Sequence, residues 1–367
     1  LMNVPYVALG SQWTDIRDEA MPLIDEVLST GMYLEHELVG SLEENLASTI
    51  GVREAILVNS GTDALLMALL VLNIKRGDEV ITVPNSFIAS VAAITHVGAN
   101  PVMVDVGADH LIDVEKIEAA ITPRTKAIMP VHLEGKVCDM KRIMEIASKH
   151  GLKVIEDAAQ AFGSEFSQVK AGAWGDISCF SLHPLKNLNS CGDGGFIATN
   201  DASIANRLRA LRSHGQRERN NSEEFGFVSR FDSIQAAILT IRLKYVDSII
   251  ARRRVNATLY DSEFKKSKIV IPFVDPRVFH TYHLYVVEVN NRDLVKEELA
   301  KVGIDTRIHY PKLITEQNAY LNRYGNGNLS IPKALEQRNR ILSLPIHHHL
   351  SEEQISFVSQ TLRNLHD

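Results

Sequence analysis

The sequence predicts an α/β protein in which helices flank a mostly parallel, seven-stranded sheet, followed by a smaller α+β C-terminal domain. From about residue 55 to residue 199, short β-branched runs alternate with helical patterns, which is typical of βαβ units. The length of 367 residues exceeds one compact core of ordinary size, so two domains are expected. The 45% hydrophobic and 23% charged content is that of a globular protein.

The elements of the predicted sheet follow in order along the chain. Strands are predicted over residues 55–59, 79–83, 101–105, 126–131, 153–156, 177–180 and 195–199, and helices over residues 62–72, 86–97 and 140–150. The last two strands leave no room for a helix between them. We therefore expect an antiparallel pair at an edge of the sheet.

A second, C-terminal part begins with one long helix. Residues 232–264 keep apolar residues at helical spacing without Pro or Gly, and such a helix commonly connects a large domain to a small one. We place the boundary near residue 245, which gives domains of residues 1–245 and 246–367. A strand over residues 281–289 and helices near residues 294–302 and 351–365 are expected beyond it. The arginine run at residues 252–254 is interpreted as a solvated helix face.

Charge and hydropathy exclude several classes of protein. The net charge of −6 and the scattered basic residues argue against nucleic-acid binding. No apolar stretch approaches the roughly 20 residues that span a bilayer, and the N-terminus lacks a signal peptide, so a cytoplasmic protein is expected. Cys138, Cys179 and Cys191 suit free thiols in a reducing compartment. The histidine run at residues 347–349 lacks paired metal-ligand motifs, so no metal is expected.

A tight turn follows the first predicted strand and leads directly into a helix. Gly61 lets backbone N–H groups approach a ligand, and the helix start that contains Thr62 favours an anion such as a phosphate. The same turn also fits a simple helix N-cap. The glycine patterns of dinucleotide sites and of the ATP phosphate loop are absent, which argues against NAD and ATP.

Two further strand ends carry polar or aromatic candidates. Phe87 lies in the loop after the strand over residues 79–83, where it either stacks on a flat ligand or packs in the core. Asp157 ends an apolar strand, with Gln160 about one helical turn later. A carboxylate there needs a cation or a hydrogen-bond donor, because its desolvation is costly, although a helix N-cap is the alternative reading.

The segment around Lys186 has no obvious packing role. It lies between two strands in a stretch that runs from Ser181 to Gly195 and is rich in small, polar and turn-forming residues. An ammonium held near an apolar sheet edge has its pKa lowered, which frees the amine to attack an aldehyde. The glycines at 192, 194 and 195 let the backbone pass close to a bulky group.

These motifs occur together, and over nearly its full length the chain resembles the DegT/DnrJ/EryC1 family of pyridoxal-phosphate (PLP) sugar aminotransferases, of fold type I in the aspartate aminotransferase superfamily. The resemblance also rests on residues 5–6, 156–160, 232–237, 309–311 and 344–345. It implies that Lys186 holds the cofactor as a Schiff base and shuttles the proton, and that Asp157 keeps the pyridine nitrogen protonated. It further implies that Gln160 contacts the ring hydroxyl and Phe87 the ring face, while Gly61, Thr62 and Ser181 hold the phosphate.

One position departs from the family pattern. Where relatives usually place an Asn that reaches a partner subunit's cofactor phosphate, this chain has Val228, which has no side-chain donor. Ser229 and Arg230 are the remaining candidates for that contact. The segment over residues 33–36 also lacks a glycine often found there. Both features indicate an unusual substrate pocket.

The resemblance leaves the substrate open. The loop after Lys186 and the Arg217 region look most like members that aminate 3-keto nucleotide sugars in cell-surface polysaccharide or lipopolysaccharide synthesis, with L-glutamate as donor and pyridoxamine phosphate as the alternate cofactor form. A free sugar acid such as 8-oxo-Kdo is the alternative. The candidate substrate residues are His214, Arg217, Arg219, Arg230 and His309. A homodimer with shared active sites is implied, and a PLP-binding sensor without turnover is the competing class.

Overall fold

The computed structural model describes residues 2–34, 36–265, 267–327 and 329–366. Within them the helices are α1 Leu9–Thr30, α2 Glu37–Ile50, α3 Gly61–Val71, α4 Ile88–His96, α5 Met140–His150, α6 Ala202–Leu211, α7 Ser233–Phe264, α8 Arg292–Lys301, α9 Asn318–Tyr324, α10 Pro332–Gln337 and α11 Glu352–His366. None of the helices in this part of the chain has both the length and the hydrophobicity of a membrane span. The segment over residues 33–36, singled out above, includes residue 35, which lies outside the described residues.

Within the described residues the strands form one large sheet and three small ones. They are β1 Glu54–Val58, β2 Glu79–Thr82, β3 Asn100–Met103, β4 Thr125–Ile128, β5 Lys153–Asp157, β6 Glu165–Phe166, β7 Val169–Lys170, β8 Ile177–Ser181, β9 Gly195–Thr199, β10 Gln216–Glu218, β11 Asn221–Ser222, β12 Val278–Phe279, β13 Tyr285–Glu288 and β14 Ile341–Leu344. The seven-stranded sheet has the order β1-β9-β8-β5-β4-β2-β3. Every predicted strand of this sheet is confirmed, with ends that match or differ by at most three residues.

The direction of the strands explains where a site can form. β3, β2, β4, β5 and β8 pair in parallel, whereas β9 is antiparallel to both of its neighbours. The antiparallel pair predicted from the short β8–β9 connection is therefore confirmed. Its expected place at the sheet edge is wrong, because β1 lies outside β9 and takes the edge. The carboxyl ends of the parallel strands meet at one side of the sheet, where ligands bind in such folds.

Helices cover both faces of the sheet because its strands are apolar on both sides. Ile56 and Val58 of β1 belong to a cluster with residues of α3, α4 and α6. Their neighbours Ala55 and Leu57 point the other way, into a cluster with α2, α5 and α7. The period-two alternation along β1 thus feeds two separate cores, and the sheet is the middle of three layers.

The C-terminal part has a core of its own. The end of α7 contributes Tyr260 and Phe264, which pack with residues of β13, β14, α8 and α11. The long helix predicted at residues 232–264 is confirmed, and it runs without interruption through position 245. The domain boundary near residue 245 stays a prediction.

Candidate active site

A cavity of about 490 Å³ opens at the carboxyl edge of the sheet. Pockets of this size commonly hold small ligands or cofactors. Its lining includes all seven of the predicted cofactor residues and one of the predicted substrate residues: Gly61, Thr62, Phe87, Asp157, Gln160, Ser181, Lys186 and His309. Residues spread over more than 240 positions of the sequence therefore converge on one cavity.

One part of the lining is a helix start built for an anion. The Ser60 hydroxyl accepts a hydrogen bond from the Asp63 N–H at 3.0 Å and so caps α3. Gly61 begins the helix, and a Cβ there would lie 2.9 Å from the Cβ of Ser181. The absence of a side chain at Gly61 thus lets the turn approach Ser181 closely. First-turn N–H groups and a hydroxyl together form a donor set that suits a phosphate.

Asp157 ends β5 with its carboxylate inside the cavity. One oxygen accepts a hydrogen bond from the Ser90 hydroxyl at 2.7 Å, and the other accepts from the Ala159 N–H at 3.2 Å. Burial raises the pKa of this carboxyl group, while the Ser90 hydrogen bond and the Lys186 charge oppose the rise. Ser90, in the first turn of α4, was not predicted, because nothing in the sequence marks its hydroxyl as facing a carboxylate.

The neighbouring acid, Glu156, points to the opposite face of the strand. Its carboxylate accepts hydrogen bonds from three backbone N–H groups, those of Gly172, Trp174 and Gly175, at 2.7 to 2.9 Å. His132 Nε2 contacts the same carboxylate at 3.0 Å. These contacts of Glu156 have a structural role, because its side chain is fully buried and lies away from the cavity. Of the two adjacent acids, one stabilises loops and the other faces the ligand.

Lys186 lies in the β8–β9 connection and lines the cavity. Burial lowers its pKa to about 8, and the attraction of Asp157 limits the drop. A larger share of neutral amine is therefore present at neutral pH than for an exposed lysine. This is the state that a nucleophile or proton carrier requires.

Gln160 is held in one orientation. Its side-chain oxygen accepts a hydrogen bond from the Glu134 N–H at 2.7 Å, and its Nε2 donates to the Tyr310 hydroxyl at 3.1 Å. The second Nε2 hydrogen stays available to a ligand. The Phe87 ring lies 5.8 Å from that of Tyr310 and is 55% exposed, so one wall of the cavity is aromatic and open.

The opposite wall comes from the C-terminal part and was largely missed. Arg253, His283, His347 and Tyr310 all line the cavity. The arginine run at residues 252–254 was predicted to be a solvated face. That prediction is wrong for Arg253, which is 6% exposed and donates to the Tyr282 and His283 carbonyls. Burial lowers the pKa of His283 well below its usual value and that of His309 to about 4, so both rings are neutral at neutral pH.

The other predicted substrate residues do not line this cavity. His214, Arg217 and Arg219 lie on or beside the exposed β10–β11 hairpin, where Arg217 pairs with Glu223 at 3.0 Å. Arg230 is partly buried outside the cavity. Their roles stay predictions.

Val228, the residue that departs from the family pattern, contacts the turn that precedes α3. The Ser229 hydroxyl bonds to both the backbone N–H and the side-chain oxygen of Asn59, each at 3.2 Å. Val228 is 55% exposed, and its carbonyl accepts from the Asn59 side chain. Ser229 thus supports the phosphate-binding turn from behind, and its hydroxyl is already engaged there.

Comparison with known proteins identifies this arrangement. Residues 14–363 match the model of the DegT/DnrJ/EryC1/StrS aminotransferase family. The chain belongs to this family. One relative is a UDP-N-acetyl-3-dehydro-α-D-glucosamine 3-aminotransferase of Acidithiobacillus ferrooxidans. The two sequences are 38% identical, and the alignment covers 98% of this chain and 97% of the relative.

Solved structures of other DegT/DnrJ/EryC1/StrS proteins have the same fold. DesV of S. venezuelae, in complex with a ketimine intermediate, is 39% identical with a TM-score of 0.95, covering 100% of this chain and 99% of DesV. A Bacillus subtilis protein, NtdA, with bound pyridoxamine phosphate, is 32% identical with a TM-score of 0.93, covering 100% and 85% of the two chains. The α/β fold predicted from the sequence is thereby confirmed.

The protein is accordingly a PLP-dependent aminotransferase of the DegT/DnrJ/EryC1/StrS family, as predicted. The cavity fits the cofactor by its donor set. It offers N–H groups and the Ser181 hydroxyl for a phosphate, a carboxylate at Asp157 for a ring nitrogen, and an amine of lowered pKa at Lys186 for an aldehyde.

Proposed function

We propose that the enzyme transfers the amino group of L-glutamate to the 3-keto carbon of a nucleotide-linked deoxysugar in the synthesis of a cell-surface polysaccharide or lipopolysaccharide. The observation that carries the proposed chemistry is a lysine of lowered pKa in the same cavity as a buried carboxylate. The name of the 38% identical relative supports the carbon and the nucleotide. When bound, PLP supplies an aldehyde for amino groups and a ring that withdraws electrons.

Lys186 carries the proton transfers in this proposal. Its Nζ would hold the cofactor through the aldehyde, and as a neutral amine it would remove a proton from the donor carbon. The ammonium so formed would carry that proton for the return transfer. A pKa of about 8 suits both directions, because neither form is strongly favoured near neutral pH.

Asp157 and Gln160 tune the ring in the proposal. Asp157 would hold a protonated ring nitrogen, with Ser90 and the Ala159 N–H keeping the carboxylate in place. Gln160 would donate its free Nε2 hydrogen to the ring hydroxyl, since its oxygen already accepts from the Glu134 N–H. Phe87 would cover one face of the ring, and Gly61, Thr62 and Ser181 would hold the phosphate.

The substrate is bound, in the proposal, by two sets of residues. His309 lies in the cavity. Arg217, Arg219 and His214, which lie at the exposed hairpin, reach the cavity of a second subunit, and Arg230 contributes at the same interface. Cationic groups there suit a pyrophosphate, and they also suit the carboxylate of the alternative substrate, a sugar acid such as 8-oxo-Kdo.

A homodimer is part of the proposal. Phe87 and Leu185 line the cavity but are 55% and 41% exposed in the single chain, and Val228 beside the phosphate turn is 55% exposed. A second subunit over this edge would bury apolar area and close the cavity. A cytoplasmic location is also proposed, supported by three free cysteines.

The experiment is an assay of the purified enzyme on a panel of keto sugars. UDP- and dTDP-linked 3-keto sugars, a 4-keto nucleotide sugar and 8-oxo-Kdo would each be incubated with L-glutamate, and the product analysed by mass spectrometry. Amination of a 3-keto nucleotide sugar with the highest kcat/KM is expected. A preference for 8-oxo-Kdo or the 4-keto sugar contradicts the substrate class. An absorbance that L-glutamate leaves unchanged would instead support the sensor.

A further inference from the structure

The histidine run that the mechanism leaves unused meets an acid from the other end of the chain. His348 and His349 follow β14, and Asp15 lies near the start of α1. Each of the three offers one ligand atom, and these atoms all lie within 4.8 Å of one another. We propose that Asp15, His348 and His349 bind a divalent transition-metal ion of the Zn²⁺ type, at a site separate from the cofactor cavity.

The distances fit coordination. His349 Nε2 lies 3.1 Å from Asp15 Oδ2, and His348 Nε2 lies 3.8 Å from the same oxygen. In a tetrahedral zinc site with bonds of about 2.0 to 2.1 Å, two ligand atoms are about 3.3 Å apart. The two observed distances lie on either side of that value. Two imidazoles and one carboxylate are a ligand set that zinc accepts.

The direction of the His349 contact also favours a metal over a simple ion pair. His349 Nε2 is buried and forms no hydrogen bond with any residue that the structure describes, although the Asp15 carboxylate is 3.1 Å away. The ring nitrogen and the carboxylate oxygen therefore do not point at each other as donor and acceptor do. A buried imidazole nitrogen that lacks a hydrogen-bond partner and lies beside a carboxylate oxygen is free to bind an ion.

A second observation is the cavity beside the cluster. Asp15 and His348 line a space of about 260 Å³ together with Asn187 and Arg242. Asn187 is 7% exposed, and neither its Oδ1 nor its Nδ2 has a hydrogen-bond partner among the described residues. An unpartnered buried amide calls for a ligand or water. A water on the metal would fill the fourth position and give Asn187 a partner, while the Arg242 charge favours hydroxide or an anion there.

The test measures zinc binding to the untagged holoenzyme after chelator treatment, by isothermal titration. One Zn²⁺ per chain is expected. Asp15→Asn and His349→Gln should each weaken binding at least about tenfold. His150→Gln is the matched control, because His150 is a surface imidazole paired with Glu118 at 2.8 Å, and it should bind zinc like the parent. All forms retain PLP, so any chelation by the cofactor is common to them.

Cobalt substitution gives a readout that a structural role would not produce. Co²⁺ bound by two histidines and a carboxylate in a four-coordinate site should give strong visible d–d bands, which should disappear in Asp15→Asn and His349→Gln. Unfolding curves recorded without metal identify a variant that has lost its fold. If one of the two variants has done so, the zinc and cobalt measurements on the other variant test the proposal. Zinc affinity equal in the parent and in both variants, or no stoichiometric binding by the parent, overturns the proposal. Neither outcome bears on the aminotransferase reaction.

Discussion

The two walls of the cofactor cavity are built in different ways. The first wall consists of residues at strand ends and the turns beside them, such as Gly61, Asp157 and Lys186. The second consists of Arg253, His283 and other residues that arrive from the α7 helix and the C-terminal part. Local sequence determines the first wall, because a strand end in a parallel sheet has a known place. The second wall exists only after distant segments have packed, and its buried Arg253 and neutral histidine rings set the electrostatics of that side of the cavity.

The largest effect is expected at the chemical centre of the first wall. Lys186→Ala removes the amine, so the rate of amino transfer should fall by about 10³-fold or more, while the fold persists. Single-turnover conversion with L-glutamate measures it. Lys126→Ala, which changes an exposed lysine that contacts the Pro123 carbonyl, should keep full activity. A Lys186→Ala enzyme within tenfold of the parent rate would show that this wall does not carry the chemistry.

Asp157→Asn should have the next largest effect. The amide cannot keep a facing nitrogen protonated, so a fall in kcat of about 10²-fold is expected, together with a changed cofactor absorbance. Glu156→Gln provides the contrast, because it removes charge from loop contacts instead. That variant should lose about 1 to 3 kcal/mol of stability. Equal kcat values in the two variants would contradict the assignment of Asp157 to the ligand and of Glu156 to the loop contacts.

On the second wall, Arg253→Gln should lower kcat/KM by about tenfold or more. The change leaves the carbonyls of Tyr282 and His283 with fewer donors, and it removes a buried charge from the cavity. Steady-state kinetics and thermal unfolding measure both consequences. Arg254→Gln is the matched control, since that neighbour contacts the His280 carbonyl and the Phe279 ring outside the cavity. Parallel losses in both variants would mean that the second wall is purely structural.

A smaller effect concerns the pH dependence of Lys186. Its pKa of about 8 predicts that the cofactor-free enzyme captures PLP about tenfold faster at about pH 9 than at about pH 7, with the rate levelling off above pH 8. The sign follows from the neutral amine being the reactive form. Stopped-flow absorbance records the capture. A rate that keeps rising to about pH 10.5 would show that Lys186 has the pKa of an ordinary lysine and that burial does not lower it.

The extent to which the sequence predicted the site follows the same division. Gly61, Asp157, Gln160, Ser181 and Lys186 were found because each stands beside a predicted strand end in a turn-forming context, and the resemblance gave them roles. Ser90 and Arg253 were missed, since an α-helix interior carries no local mark of which residue faces a ligand. The resemblance had pointed at residues 5–6, 309–311 and 344–345, and of these only His309 was given a role, as a candidate substrate residue. These residues lie at or near the second wall.

The sequence alone determined the alternation of strands and helices, the long α7 helix and the lysine at the sheet edge, because periodicity and turn residues act over a few positions. Tertiary structure decided that β1 lies at the edge of the sheet, outside β9. It also decided that Asp157 faces the cavity and that the adjacent Glu156 does not. It also decided that Asp15 meets His348 and His349. These outcomes depend on burial and on contacts between residues hundreds of positions apart, where desolvation and packing fix the arrangement after the local elements have formed.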